Sequence, residues 1–322
     1  MTTRRALLGA LALAAAGARG AAAQFSIPYT PAVARPRAVT LLVGAAGGSA
    51  ADLWVRGFAP FLERHLKRVQ VGVVNRAGEG GLGAIRDLAE AKGDGSVLAY
   101  AATPFLVARV VERNAAPLLG RIRLLGTVTE EPVALLAPPG TELEALRARG
   151  TNRPLGLPPP VSAASIAAAE LAPLLPMEQL HFPSAAAARQ AAIAGNVGAA
   201  LLTLPEAIGA VRDGKLAVLG IGSATRHPLL PEVPTLREAD LPVETALRRG
   251  IAVPAGIEAE AAARLARALA AAVTDPEYLA QAEARGVLPH HLDAEAWSAL
   301  ATRDLGDLRS RWETSPWPLS GG

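Results

Sequence analysis

The sequence predicts an α/β protein of two lobes, each a mostly parallel sheet flanked by helices. From residue 38 onward, short apolar runs alternate with longer alanine-rich stretches, which is the pattern of βαβ units. Few of these runs alternate polar and apolar residues, as expected of strands that are covered on both faces. Proline clusters then divide the chain into two α/β units. The chain leaves the first unit, completes the second and returns to add its last segments to the first. Such a path predicts a hinge and a ligand cleft between the lobes.

The first lobe is predicted over residues 34–137 and 243–322, and the second over residues 138–223. Proline and glycine at 138–140 end the first unit, and a crossover at 224–242 carries too many prolines for a regular element. The predicted strands are 39–43, 71–74, 97–100, 122–128, 133–137, 154–157, 179–182, 199–204, 216–221 and 251–253. The predicted helices are 50–66, 82–91, 106–113, 162–175, 185–194, 205–212, 258–273, 276–284 and 294–312.

The first 23 residues have the pattern of a cleaved export signal. Arg4 and Arg5 precede an apolar run over 6–16, and small residues at 21–23 form a cleavage-site pattern. The run is shorter than the ~20 residues that a helix needs to cross a bilayer. We therefore expect a periplasmic protein, exported either by the general route or, given the paired arginines, by the twin-arginine route.

The charge and cysteine content exclude several functions. The chain has a formal charge of +3 and a sequence pI near 9.7, yet it contains no basic run, so no nucleic-acid partner is predicted. The signal segment carries three arginines and no acid, so its removal leaves a formally neutral protein. The absence of cysteine excludes disulfides, thiolate metal sites and cysteine nucleophiles.

Two glycine-rich loops each follow a predicted strand and precede a helix. The first spans residues 44–49 and the second spans residues 78–83. Backbone N–H groups at helix N-termini bind anions, and glycine lets a ligand approach them closely. Because the carboxyl ends of neighbouring parallel strands meet at one crevice, the loops are expected to converge there. The alternative is that each loop is only a tight turn that packs helix on strand.

Three further strand-to-helix junctions carry hydroxyl groups. Thr103 precedes Pro104 in the first lobe, and Ser162, Ser165 and Thr203 begin helices in the second. These hydroxyls either cap their helices or reach a bound anion from the opposite wall.

Groups that could support catalysis are sparse. The five histidines show no metal-ligand spacing, and no GxSxG elbow provides a serine nucleophile. Glu130 and Glu131 are adjacent at a strand end, so their side chains are expected to point apart. We predict no enzyme activity, no metal site and no cofactor.

Several segments together resemble the Bug family, the extracytoplasmic solute receptors of tripartite tricarboxylate transporters. They are the strand and loop over 39–52, the Asn75-Arg76-Ala77-Gly78-Glu79-Gly80-Gly81 segment, Asp94-Gly95, the crossover over 226–242, and the segments at 253–256 and 275–277. The crossover Arg226-His227-Pro228-Leu229-Leu230-Pro231-Glu232-Val233-Pro234-Thr235 is the most specific of these.

The resemblance implies a type II periplasmic binding fold that closes on a small organic carboxylate. In the family, backbone amides of the two loops and hydroxyls of the second lobe hold the ligand. The candidate ligand-binding residues are Ala46, Gly47, Gly48, Ser49, Gly80, Gly81, Leu82, Thr103, Ser162, Ser165, Thr203 and Arg249. The expected protein is a monomeric receptor that delivers its ligand to transporter membrane subunits. The alternative is a periplasmic sensor with an altered or lost transport role.

The chain departs from the family pattern at several positions. Gly44 and Ala45 stand where the family has proline and an aromatic residue, and Leu82 replaces asparagine. The acid common near Leu202 is missing, which argues against recognition of an amino group. Arg248 and Arg249 replace an aromatic stretch. These arginines either lie solvated at a strand edge or reach the cleft, where they pair with a distal carboxylate.

Overall fold

The computed structural model describes residues 37–148 and 153–318, so the predicted export signal lies outside the described residues. The strands are β1 Arg37–Val43, β2 Val69–Asn75, β3 Val97–Thr103, β4 Ile122–Ala137, β5 Leu155–Leu157, β6 Gln179–His181, β7 Ala199–Thr203, β8 Ala217–Ile221, β9 Ala246–Pro254 and β10 Leu288–Pro289. The helices are α1 Ala50–His65, α2 Leu82–Ala89, α3 Phe105–Glu112, α4 Leu143–Ala148, α5 Ala163–Leu171, α6 Ala185–Ile193, α7 Leu204–Arg212, α8 Ala259–Val273, α9 Pro276–Ala284 and α10 Ala294–Thr314. Within the described ranges, no helix has the length and apolarity that a membrane span requires.

The strands follow the order β2-β1-β3-β9-β4-β7-β5-β6, with β8 and β10 also paired to β4. At one end, β1 is parallel to β2 and β3. At the other end, β5 is parallel to β6 and β7. The long strands β9 and β4 lie antiparallel to each other between these groups. The result is the two-lobed α/β architecture that the sequence predicts.

Strand β4 belongs to both halves, and here the prediction of two separate strands is wrong. Residues 122–132 pair with β9, and residues 133–137 pair with β7 and β8. The sequence suggests a break at Glu130 and Glu131, but these acids are paired with arginines on β9. The ladder with β9 runs in continuous register through residues 130–132, so the strand does not end there.

Strand β9 is also longer than the three residues predicted. It includes Arg248 and Arg249 and lies between β3 and β4, so it is a central strand and not an edge. Both arginine side chains are largely buried, which rules out the solvated alternative. Their charges are neutralised by acids on β4, a pairing that local sequence does not reveal.

Apolar clusters cover both faces of each half of the sheet. In the first half, Phe58 and Leu62 of α1 pack with Leu41 on one face. On the other face, Trp297 of α10 is fully buried and packs among residues of α2 and α3. The Trp297 indole N–H donates to the Thr103 hydroxyl over 2.9 Å, so this buried polar group is satisfied. Helix α4 is present in the structure but is not among the helices predicted from the sequence.

Candidate ligand-binding site

The two glycine-rich loops meet backbone against backbone. A Cβ atom built on Gly44 would lie 2.7 Å from the Cα of Gly81, and one on Gly81 would lie 3.0 Å from the Gly44 carbonyl oxygen. Gly81 also has φ of +97°, in the region that favours glycine. The ends of β1 and β2 therefore converge at one crevice, as their parallel pairing requires.

The N-terminus of α1 is fixed beside this crevice by Ser49 and Asp52. The Ser49 hydroxyl accepts the Asp52 N–H, and the Asp52 carboxylate accepts hydrogen bonds from the Gly48 N–H and from the Asn75 amide. Arg56 pairs with the same carboxylate over 2.9 Å. Hydrogen bonds from Arg56, Gly48 and Asn75 lower the Asp52 pKa to about 2, so this carboxylate stays ionised. It ties the first glycine loop to the end of β2.

Two helices of the second lobe direct their N-termini to the same crevice. Ser162 caps α5 by accepting the Ser165 N–H, and its hydroxyl donates to the Ser165 hydroxyl over 2.9 Å. Thr203 precedes α7, and its N–H donates to the Glu206 carboxylate over 2.9 Å. The Thr203 hydroxyl is buried and lacks a well-aligned hydrogen-bond partner among the described residues.

These elements enclose a cavity of about 300 Å³. It takes residues from the N-terminal turns of α1, α5 and α7, from both glycine loops, and from β3, α3 and β9. The lining residues are Gly44, Ala45, Ala50, Ala51, Gly80, Gly81, Ile85, Tyr100, Ala101, Ala102, Phe105, Leu106, Arg109, Pro158, Ser162, Ala163, Ala164, Thr203, Glu206, Leu247 and Arg249. Because helix N-termini carry partial positive charge and unpaired N–H groups, those of α1 and α5 at one cavity favour an anion. The α7 N-terminus adds less, because Pro205 has no N–H and Glu206 lies in its first turn.

Arg249 reaches the cavity wall as part of a buried network. Its guanidinium forms a two-point ion pair with Glu131, over 2.7 and 3.1 Å, and donates to the Tyr100 hydroxyl over 3.1 Å. It also lies over the Trp54 ring. Burial raises the pKa of the Tyr100 phenol, which keeps its proton. Because the Tyr100 oxygen accepts from Arg249, its own O–H remains a donor.

A second arginine, Arg109, supports the second glycine loop. Its guanidinium pairs with Glu112 over 2.8 Å and lies against the Phe105 ring. A Cβ atom built on Gly80 would lie 3.0 Å from the Arg109 Nε. The arginine therefore packs directly on the backbone of Gly80, and its charge is neutralised by the ion pair with Glu112.

Glu206 places a carboxyl group in the cavity wall. Burial raises the pKa of this carboxyl, while the Thr203 hydrogen bond and the nearby Arg249 charge oppose the shift. The absence of an acid near Leu202 in the sequence argues against an amino-group ligand. The structure places an acid four positions later, at the wall itself, and this removes the argument.

The twelve predicted site residues fall into two groups. Those that line the cavity are Gly80, Gly81, Ser162, Thr203 and Arg249. The others adjoin the lining: Ala46, Gly47, Gly48, Ser49, Leu82, Thr103 and Ser165. Within this second group, Leu82 is buried in the core and the Thr103 hydroxyl is bonded to Trp297. Gly48 donates its N–H to Asp52.

Sequence reasoning missed Tyr100, Arg109 and Glu206 as lining residues. A signal for Glu206 is present, because Thr203-x-x-Glu206 has the spacing of a capping box at the start of a helix. A single arginine within the apolar α3 is the corresponding signal for Arg109. Among the described residues, no cluster of acids and histidines fits a metal ion.

Comparison with known proteins agrees with this architecture. Residues 62–306 match the family model of the tripartite tricarboxylate transporter family receptor, TctC. No curated protein sequence gives a significant match. The chain therefore belongs to the TctC receptor family, a family of periplasmic solute-binding proteins.

Solved structures show the same fold. A TctC solute-binding protein from Polaromonas is 23% identical, with TM-score 0.73, covering 86% of this chain and 98% of that one. MatC from Rhodopseudomonas palustris, solved with malate, is 23% identical, with TM-score 0.69 and coverage of 85% and 98%. Another R. palustris protein, solved with adipate, is 20% identical, with TM-score 0.70 and coverage of 86% and 97%.

Proposed function

We propose that this protein is a periplasmic receptor that captures a small organic carboxylate in the cavity and delivers it to the membrane subunits of a tripartite tricarboxylate transporter. The convergence of the α1, α5 and α7 N-termini on one cavity is the observation that carries the proposal. The relatives solved with malate and adipate support the ligand class.

The carboxylate is bound mainly by backbone. The first-turn residues Ala50 and Ala51 of α1 and Ala163 and Ala164 of α5 line the cavity, and helix geometry leaves N–H groups of a first turn without intrahelical acceptors. The glycines at 80 and 81 leave the backbone of the second loop uncovered. Such donors are fixed in place before the ligand arrives, so little reorganisation opposes binding.

The cavity arginines act chiefly as structural supports. Arg109 is neutralised by Glu112 and Arg249 by Glu131, so the pairs bring donors and no net charge to the wall. Selection of an anion therefore depends on oriented backbone dipoles rather than on a free cation.

A thermal-shift screen of mono-, di- and tricarboxylates tests the proposal. A ligand that binds only the folded state adds RT ln(1 + [L]/Kd) to the free energy of unfolding and so raises the melting temperature. We expect at least one acid to raise it in a concentration-dependent way, while the matching amides do not. If no acid shifts the melting temperature, the proposed function is wrong.

A further inference from the structure

Three polar side chains of the cavity wall, Arg109, Ser162 and Arg249, form hydrogen bonds within the protein. Arg249 bonds to Glu131 and Tyr100, and Arg109 bonds to Glu112. The Ser162 hydroxyl donates its proton in a hydrogen bond to the Ser165 hydroxyl. The polar side-chain groups that remain in the wall are the Thr203 hydroxyl, the Tyr100 O–H, the Arg109 Nε–H and the Glu206 carboxyl, and they are outnumbered by apolar lining residues.

Most of the remaining wall is apolar. Ile85, Phe105, Leu106 and Leu247 contribute the large apolar side chains, and alanines of the first glycine loop, α1, β3 and α5 lie between them. A hydroxyl or a second carboxylate placed against this wall would lose its water without gaining a partner, which is costly.

The cavity suits a small ligand. Its volume of about 300 Å³ lies at the lower end of the range of roughly 300–1,000 Å³ that is usual for small-molecule sites. A short-chain organic acid fits a space of this size.

We propose that the ligand is a monocarboxylate with a hydrocarbon body, bound with its carboxylate at the helix N-termini and its body against Ile85, Phe105, Leu106 and Leu247. This inference rests on the proposed function and narrows its ligand class. It sets this receptor apart from relatives solved with malate and adipate, which carry two carboxylates.

Matched pairs of acids test the inference. Adipate differs from hexanoate, and suberate from octanoate, only by a distal carboxylate. L-Malate is a shorter dicarboxylate that also carries a hydroxyl. We expect hexanoate and octanoate to bind at least tenfold more tightly than adipate and suberate in calorimetric titration, with malate weaker still. Equal or tighter binding of adipate, suberate or malate would overturn the inference and leave the proposed function standing. If none of the five acids binds, the inference fails outright, and the wider carboxylate screen then decides the proposed function separately.

A variant of the wall gives a second readout. Leu247→Asn places an amide at the cavity wall with little change in volume, and Leu247→Met is the matched apolar control. We expect L247N to weaken octanoate binding about tenfold, because the amide interrupts the apolar wall, and L247M to stay within about threefold. An unchanged octanoate affinity in a folded L247N protein would contradict the placement of the hydrocarbon body. If L247N does not fold, the comparison of acids on the unmodified protein decides alone.

Discussion

Gly44 and Gly81 lie so close that neither position accommodates a side chain. The Cβ of an alanine at 44 would lie 2.7 Å from the Cα of Gly81, a separation that real Cβ atoms do not show. This contact joins the loop after β1 to the loop after β2 and fixes one wall of the cavity. It also gives a physical reason for glycine at 44 in this chain.

Gly44→Ala is expected to destabilise the protein by about 1–3 kcal/mol, since an overpacked contact must move backbone. Gly47→Ala is the matched control in the same loop, because its nearest neighbour, the Asn75 side chain, would lie 3.8 Å away. We expect the control to change the free energy of unfolding by less than about 0.5 kcal/mol. Urea denaturation measures both, and equal effects of the two substitutions would show that the loops do not touch.

Replacing only one member of the Arg249–Glu131 pair is expected to lower the free energy of unfolding by about 3–5 kcal/mol, because the remaining charge is left buried without a partner. The side chains are 11% and 2% exposed, respectively. The double variant R249M/E131L removes both charges and should recover much of the loss. If R249M alone is as stable as the wild type, the pair is not buried as described.

Thr103→Val is expected to lower stability by about 1–3 kcal/mol, since it leaves the fully buried Trp297 indole N–H without its acceptor. Thr103 does not line the cavity, so carboxylate affinity should be unchanged. Chemical denaturation and calorimetric titration separate the two effects. A weaker affinity with unchanged stability would instead make Thr103 a ligand contact.

The raised pKa of Glu206 predicts pH-dependent binding. An ionised Glu206 repels a bound carboxylate, so affinity should fall as the pH rises through its folded-state pKa, which lies above the ordinary value of 4.5. The same group stabilises the fold fully below pH 4.5, and this contribution is lost as the pH rises through the raised pKa. Arg249 and Glu131 are the charged groups that act on it.

Glu206→Gln keeps an acceptor for the Thr203 N–H and removes the titration. Octanoate affinity of this variant should not fall as the pH rises above 4.5, while that of the wild type falls. Parallel pH profiles for the two proteins would mean that another group titrates.

Acid tolerance depends on Asp52. Its pKa is lowered from 3.8 to about 2 by its hydrogen bonds, so it contributes stability above pH 3.8 that is lost as the pH falls towards 2. Asp52→Asn should therefore be less stable at neutral pH and show a shallower loss between pH 4 and 2. Circular dichroism across this range measures the difference. Identical acid profiles would contradict the role of Asp52 in the loop.

The convergence of the glycine loops was predictable because it depends only on the position of each loop directly after a strand. Each loop follows a strand, and parallel strands bring their carboxyl ends to one edge. The capping residues Ser49, Ser162 and Thr203 were visible for the same reason, since a cap is defined by spacing along the chain.

The arginine networks could not be predicted in this way. Glu131 and Arg249 are separated by 118 positions, and only the antiparallel pairing of β4 with β9 brings them together. Without that pairing, two adjacent arginines look solvated and two adjacent acids look like the end of a strand. The long β4 and the central position of β9 were missed for this one reason.

A crystal structure of the protein with the acid that raises the melting temperature most would locate the bound ligand. We expect carboxylate density within hydrogen-bonding distance of the backbone at the α1 and α5 N-termini and beside Gly80 and Gly81. Density for the acid elsewhere, for example in the polar cavity between Glu170 and Arg303, with the predicted cavity empty, would contradict it.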